Sequence, residues 1–339
     1  MVFYYNLKSK EILFGLTQKN FQGFIMKLFV LLIVFISSLF SQNIPTKKLA
    51  YVVSDINIPF WEIMSKGIKE KASNIGYSVE IYSSNNSNKT EIENFVKALH
   101  NKVDGIVLSP INSSNAVFLL KLANEANIPV VISDIGTDEG NYLSYISSNN
   151  EDGAYKLGKI LANKMKELKI DNGTVGIISI PQERANGKAR TKGFLKALDE
   201  SNIKSAGIEQ QVDFSYKETY NFAKNLISNN PNMKALWLQG SDKYQGALDA
   251  INELGKKDEI LLICFDSEPE FLQMIPENKL VGAAMQQPFL MGEKSIEQFN
   301  NYFNNKNIEK NLQLEILAIS KDNIEQEIKI IKRNVLGIK

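Results

Sequence analysis

Residues 49–76 read LAYVVSDINIPFWEIMSKGIKEKASNIG, and the order of residue types in this stretch decides the fold. Apolar and β-branched residues run unbroken from Leu49 to Val53 and turn polar at Ser54 and Asp55. A helical pattern then extends from about Phe60 to Ile75 and closes at Gly76. An unbroken apolar strand followed by a helix is the half-unit of a parallel sheet covered on both faces.

The pattern repeats. Strands are expected at Leu49–Ser54, Val79–Ser83, Gly105–Ser109 and Pro129–Ile132, with further helices at about Thr90–Asn101 and Ala116–Ala126. Thr90-Glu91-Ile92-Glu93 resembles a capping box for the first of these helices. A second block has strands at Thr174–Ile180, Glu209–Val212, Ala235–Gln239, Glu259–Phe265 and Val281–Met285. Its helices fall at about Lys188–Asn202, Tyr216–Asn229, Tyr244–Leu254, Glu268–Ile275 and Phe289–Tyr302, before a last strand at Leu314–Ile319. Two such blocks predict an α/β protein of two Rossmann-like, doubly wound lobes. Eight evenly used βα units closing one barrel is the alternative.

Composition narrows the function classes. The chain has 339 residues, 39 Lys and Arg against 38 Asp and Glu, and 44% hydrophobic residues. That is globular composition, at a length where one core usually divides into two. A formal charge of +1 gives no electrostatic reason to expect nucleic acid as a partner. The single cysteine, Cys264, excludes an internal disulfide, and the single histidine, His100, leaves few soft metal ligands. No metal or other cofactor is expected.

Leu28–Phe40 (LFVLLIVFISSLF) follows Met26-Lys27 and precedes Ser41-Gln42, the pattern of a secretory signal peptide. The apolar run is short of the roughly 20 residues of a spanning helix, and an uncleaved anchor is the alternative. Residues 1–25 would then lie upstream of a start at Met26. Cleavage after Ser41 leaves 298 residues, 35 basic against 37 acidic, with no Cys near the cut to carry lipid. The product is expected in the periplasm.

The strands turn polar at their last residues: VVSD at 52–55, IYSS at 81–84, VISD at 131–134, LQGSD at 238–242, CFDS at 264–267 and AMQQ at 284–287. In open parallel sheets, ligands bind outside the carboxyl ends of the strands. Ser83, Ser84 and Ser109 also read as helix caps. Asp134, Asp266 and Gln286 stand in no evident cap position and are candidate ligand contacts.

On these residues the chain resembles the periplasmic sugar-binding proteins of the ribose-binding type. The resemblance is carried by Tyr51 to Glu62 with Gly67 and Ala72, by Arg190-Thr-Lys-Gly-Phe194, and by Val-Asp-Phe at 212–214. Phe265-Asp266 and Met285-Gln286-Gln-Pro288 follow in the expected order. It runs from about Lys48 to Ile324. It implies two lobes joined by a three-strand hinge with ligand in the interlobe cleft, the first lobe holding 46–149 and 288–315, the second 150–287 and 316–336.

The candidate ligand-binding residues are Ser54, Asn57, Phe60, Trp61 and Asp134 from the first lobe. Arg190, Phe214, Ser241, Asp242 and Asp266 come from the second, with Gln286 at the crossing. Flat rings at Phe60 and Trp61, placed at the tip of the first loop, can cover a sugar's C–H face, although packing of the helix start is the plainer role. Asp134 and Asp266 accept from hydroxyl pairs, and Arg190 offers five fixed donors. Arg190 is alternatively a surface helix charge, and Gln286 a hinge residue. Arg190 and Trp61 are expected to face a water-filled cleft, so that removing either spares the fold.

The chain departs from the ribose-like pattern at Ile135, where an Arg follows the acid, at Gly240, where an Asn is expected, and at Ile58, another Asn position. These departures argue against ribose itself. Enzyme machinery is missing: no Gly-x-Gly-x-x-Gly follows the first strand, no Gly-x-x-x-x-Gly-Lys-Ser/Thr loop for nucleotide phosphates exists, and no Gly-x-Ser-x-Gly elbow exists. The expected function is capture of a sugar or related polyol and its delivery, by a monomer, to the permease of an ABC importer. The alternative is presentation of a small signal to a sensor kinase or chemoreceptor.

Overall fold

The computed structural model describes residues 47–338. The signal segment, the start at Met26 and the cleavage point lie outside the described residues. The strands are β1 (Lys48–Val53), β2 (Ser78–Ser83), β3 (Gly105–Ser109), β4 (Val130–Ser133) and β5 (Ser144–Ser148). Then come β6 (Thr174–Ser179), β7 (Lys204–Gln210), β8 (Met233–Leu238), β9 (Leu261–Phe265), β10 (Gly282–Met285), β11 (Asn311–Leu314) and β12 (Leu317–Ser320).

They form two six-stranded sheets of matching order, β2-β1-β3-β4-β5-β11 and β7-β6-β8-β9-β10-β12. Both are open, so the barrel alternative is excluded. The pairings are parallel except at β10–β12, which is antiparallel. The chain passes between the sheets after β5, after β10, and across Glu315-Ile316 between β11 and β12.

Each sheet is buried on both faces, which is why the strands read as unbroken apolar runs. In β1, Leu49, Tyr51 and Val53 pack with Trp61, Met64 and Phe299, while Ala50 and Val52 pack with Phe95 and Leu108 on the other side. In the second sheet, Trp237 stacks on Phe194, ring centroids 3.8 Å apart, while Leu236 and Leu238 join Phe271 and Ile275 on the opposite face.

Several sequence expectations need correction. The run Leu314–Ile319 is not one strand: β11 and β12 belong to different sheets. The strand expected at Glu209–Val212 is β7, which ends at Gln210 and leaves Val212 73% exposed. β5, the Asn150–Glu167 helix and the Ile324–Ile330 helix were not anticipated. The capping box is also misplaced. Ser87 caps the Asn88–His100 helix, accepting from Thr90 N at 3.3 Å, and Glu91 is fully buried with its Oε1 accepting from Ile111 N at 2.7 Å. The helix expected from Lys188 begins at Ala185, and that expected at Glu268–Ile275 is the single turn Phe271–Met274.

Candidate functional site

Asp134 and Asp266 occupy equivalent positions in the two sheets. Each follows the fourth strand of its sheet's order, β4 or β9, and each donates its backbone N–H to the next strand, to Ile146 O at 3.0 Å and to Ala284 O at 2.9 Å. Each has a left-handed backbone, with φ of 72° and 66°. Asp is among the few non-glycine residues that tolerate this region, and the turn swings each carboxylate off the sheet end.

Asp134 accepts from Trp61 Nε1 at 3.2 Å. Trp61 lies in the first turn of the Pro59–Asn74 helix rather than on a loop tip, so its ring packs in the core while its N–H reaches the acid. Asp266 accepts from Arg190 Nη1 at 3.3 Å and from Gln286 Nε2 at 2.7 Å.

Arg190 is a buried hub, 3% exposed. Its Nε donates to Asn150 Oδ1 at 2.9 Å, its Nη1 to the carbonyl of Gln239 at 2.6 Å, and its guanidinium stacks on Phe265 at 3.8 Å. The expectation that it faces an open cleft is therefore corrected. Gly193 makes this placement possible: a Cβ there would overlap the carbonyl oxygen of Glu151, so only glycine lets the Ala185–Asp199 helix approach the helix start that carries Asn150.

The two lobes also touch directly. Arg184 Nε donates to Ile111 O at 3.0 Å, Ala185 N to Ser113 Oγ at 3.3 Å, and Asn186 Nδ2 to Asp134 Oδ1 at 3.3 Å. The Arg184 guanidinium stands 5.6 Å from the Trp61 ring centre and 5.1 Å from that of Phe214. Between the sheet ends lies a cavity of about 60 Å³ walled by aromatic rings, carboxylates and the two arginines. At about 10–15 Å³ for each water it holds a handful of them, the space of one small polar molecule.

Burial sets the electrostatics. It lifts the Asp134 carboxyl to about 6, with the charge of Asp266 adding and those of Arg190 and Arg184 opposing. Asp266 is raised by burial as well, against the pull of Arg190. Glu91 reaches about 7, chiefly by burial, and Glu268 reaches about 7 by burial with the charges of Asp242, Glu270 and Asp266 adding. The Arg184 guanidinium is lowered to about 10 by its own burial.

Residues 49–307 match the periplasmic binding protein domain. The chain belongs to the periplasmic binding protein family. This periplasmic binding protein is 26% identical to the ribose import binding protein of Escherichia coli over 289 residues, covering 85% of this chain and 96% of that one. It is 25% identical to the D-allose-binding periplasmic protein of the same organism over 257 residues, 73% of this chain and 82% of that one. A carbohydrate transporter solute binding protein from Agrobacterium radiobacter, solved with D-arabinose, superposes with a TM-score of 0.78 at 21% identity, covering 86% of this chain and 100% of that one.

In this periplasmic binding protein, Phe60, Trp61, Asp134, Arg190, Phe214, Ser241, Asp242, Asp266 and Gln286 all line the cavity. Ser54 and Asn57 do not. Ser54 is buried behind it, its Oγ donating to Asn86 Oδ1 at 2.7 Å, and Asn57 is exposed, its N–H held by Asp55 Oδ1 at 3.0 Å. Arg184, Asn186 and Glu268 also line the cavity and escaped the sequence reading. Arg184 carries a trace of its role in the sequence: it is one of only three arginines among 39 basic residues, and it sits six positions before Arg190.

Proposed function

We propose that this protein captures a small sugar or related polyol by closing its two lobes and delivers it to an ABC importer in the periplasm. The observation that carries the reading is the interlobe cavity. Asp134 and Asp266 approach it from opposite sheets, Arg190 stands beside Asp266, and Phe60, Trp61 and Phe214 supply flat apolar walls. Such a site takes hydroxyl donors on its acids and C–H faces on its rings. A wrong epimer leaves buried charge unpaired, which is how such a site discriminates. The names of the relatives, ribose import binding protein and D-allose-binding periplasmic protein, support a binding and transport role and not an enzymatic one.

The ligand-binding set proposed is Phe60, Trp61, Asp134, Arg190, Phe214, Ser241, Asp242, Asp266 and Gln286, with Arg184 and Asn186 added. The lobes proposed are 46–149 with 288–315, and 150–287 with 316–336, joined at the three crossings. Export by a signal peptide ending near Ser41 belongs to the same reading. The test is a thermal-shift screen of the purified protein against pentoses, hexoses and polyols. A ligand at 100 times its Kd adds about 2.7 kcal/mol of stability. A panel with no shift at millimolar concentration contradicts the reading.

A further inference from the structure

The cavity holds more carboxyl groups than its arginines can pair. Four acids line it, Asp134, Asp242, Asp266 and Glu268, against two guanidiniums, Arg184 and Arg190. The cations have partners. Arg190 is bonded to Asn150, Gln239 and Asp266, and Arg184 reaches the Ile111 carbonyl between two aromatic rings. Lys243, behind the wall, pairs with Asp242 at 2.8 Å. Glu268 is left with a neutral partner, Ser241 Oγ at 2.8 Å, and among the described residues no lysine or arginine stands at ion-pair distance from it.

A second feature of the same cavity points the same way. Gln286 is 2% exposed and lines the site, and its Nε2 is fixed on Asp266, which settles which end of the amide is oxygen. That oxygen, Oε1, has no donor among the described residues. A buried acceptor without a donor is costly, so the site lacks a donor for Gln286 as well as a cationic partner for Glu268. An ammonium supplies both, three donors and no acceptor, whereas a hydroxyl brings an acceptor along with its one donor. A metal ion is the poorer fit: among the described residues no three ligating side chains converge to hold one.

We infer that Glu268 is the counter-ion for a positively charged amino group on the ligand, which makes the preferred ligand class an amino sugar or aminopolyol. This inference rests on the sugar-binding reading above. The groups facing Glu268 are Ser241, Asp242 with its partner Lys243, Asp266 with its partner Arg190, and Glu270, with Cys264 and Tyr244 also within its field. Burial, opposed by the Ser241 bond and aided by the charges of Asp242, Glu270 and Asp266, holds a proton on Glu268 near neutrality, and an incoming ammonium displaces it.

Calorimetric titration at pH 7 with matched sugars tests this: D-glucose, D-glucosamine and N-acetylglucosamine, and the same three for galactose. Each is run in two buffers of different ionisation enthalpy. The expected result is a preference of about tenfold or more for one amino form over both uncharged forms, the scale of one charge-assisted hydrogen bond. Proton release should accompany it, and both should vanish in Glu268→Gln. The isosteric variant's unliganded melting curve confirms that it is folded. Uncharged sugars binding as tightly as the amino forms would overturn the inference while leaving sugar binding intact, as would a preference that survives in Glu268→Gln. If no sugar in this set or in the wider pentose, hexose and polyol panel binds, the sugar-binding reading fails and the inference fails with it.

Discussion

Arg184 in the second lobe donates its Nε to the carbonyl oxygen of Ile111 in the first, at 3.0 Å. With Ala185 N on Ser113 Oγ and Asn186 on Asp134, the lobes are held together by the protein's own hydrogen bonds. These bonds form only when the lobes meet, so they stabilise the closed form that encloses a ligand.

Arg184→Ala should shift the protein toward the open form. The lost charge-assisted hydrogen bond is worth about 1.5–3 kcal/mol, which moves the open-to-closed ratio about ten- to a hundredfold. Small-angle scattering at equal, subsaturating ligand should show a larger radius of gyration for the variant than for the wild type, and ligand affinity should fall. An unchanged scattering profile contradicts the latch.

Arg190→Ala should lose both binding and stability. Its bonds to Asn150, Gln239 and Asp266 lie in the interior, so truncation strands a carbonyl, an amide and a carboxylate. We expect about 2–4 kcal/mol lost from unliganded stability, with binding weakened at least thirtyfold. Melting curves without ligand and titration calorimetry read the two effects separately. Trp61→Ala should be destabilising too, because its ring packs with Met64 and Phe299 in the core.

Gly193→Ala tests how Arg190 is positioned. The added Cβ collides with the Glu151 carbonyl and pushes the Ala185–Asp199 helix away from Asn150. Overpacking of this kind costs about 1–3 kcal/mol. Ligand affinity should fall along with the melting temperature, although the altered residue touches no ligand.

Unliganded stability should fall as pH rises from about 5 to 7.5. Asp134 at about 6 and Glu91 and Glu268 at about 7 all hold protons more tightly in the folded chain than in the unfolded one. Their contribution is therefore fully present below about pH 4 and is lost as pH rises through 6 to 7. Calorimetric melting across this range should show the decline, and Glu91→Gln should flatten it. A melting temperature that climbs toward pH 7.5 contradicts the assignment.

The strand ends were legible in sequence because an apolar run that stops at Asp or Gln has no packing reason to do so. Asp134, Asp266 and Gln286 stand out for that reason. Arg184 and Asn186 were not legible, since Arg184 precedes its helix without a side-chain cap bond and so leaves no start signal. The Asn150–Glu167 helix was hidden by Gly153 and Gly158, residues that read as helix breakers. Both glycines are packing devices, against Ile316 and Ala197 respectively. Glu91 looked like a cap because sequence spacing carries no information about burial. The switch from β11 to β12 was invisible because the apolar pattern continues through Ile316, which is itself buried in the second lobe's core.

The central claim is that one small sugar or aminated sugar sits between Asp134 and Asp266. Titration calorimetry of the mature protein with the best ligand from the screen, repeated on Asp134→Asn and Asp266→Asn, tests it most directly. We predict saturable one-to-one binding in the wild type and a loss of at least tenfold in each variant, with both variants folded by their melting curves. Binding that is unchanged in both variants would place the ligand elsewhere and contradict the account.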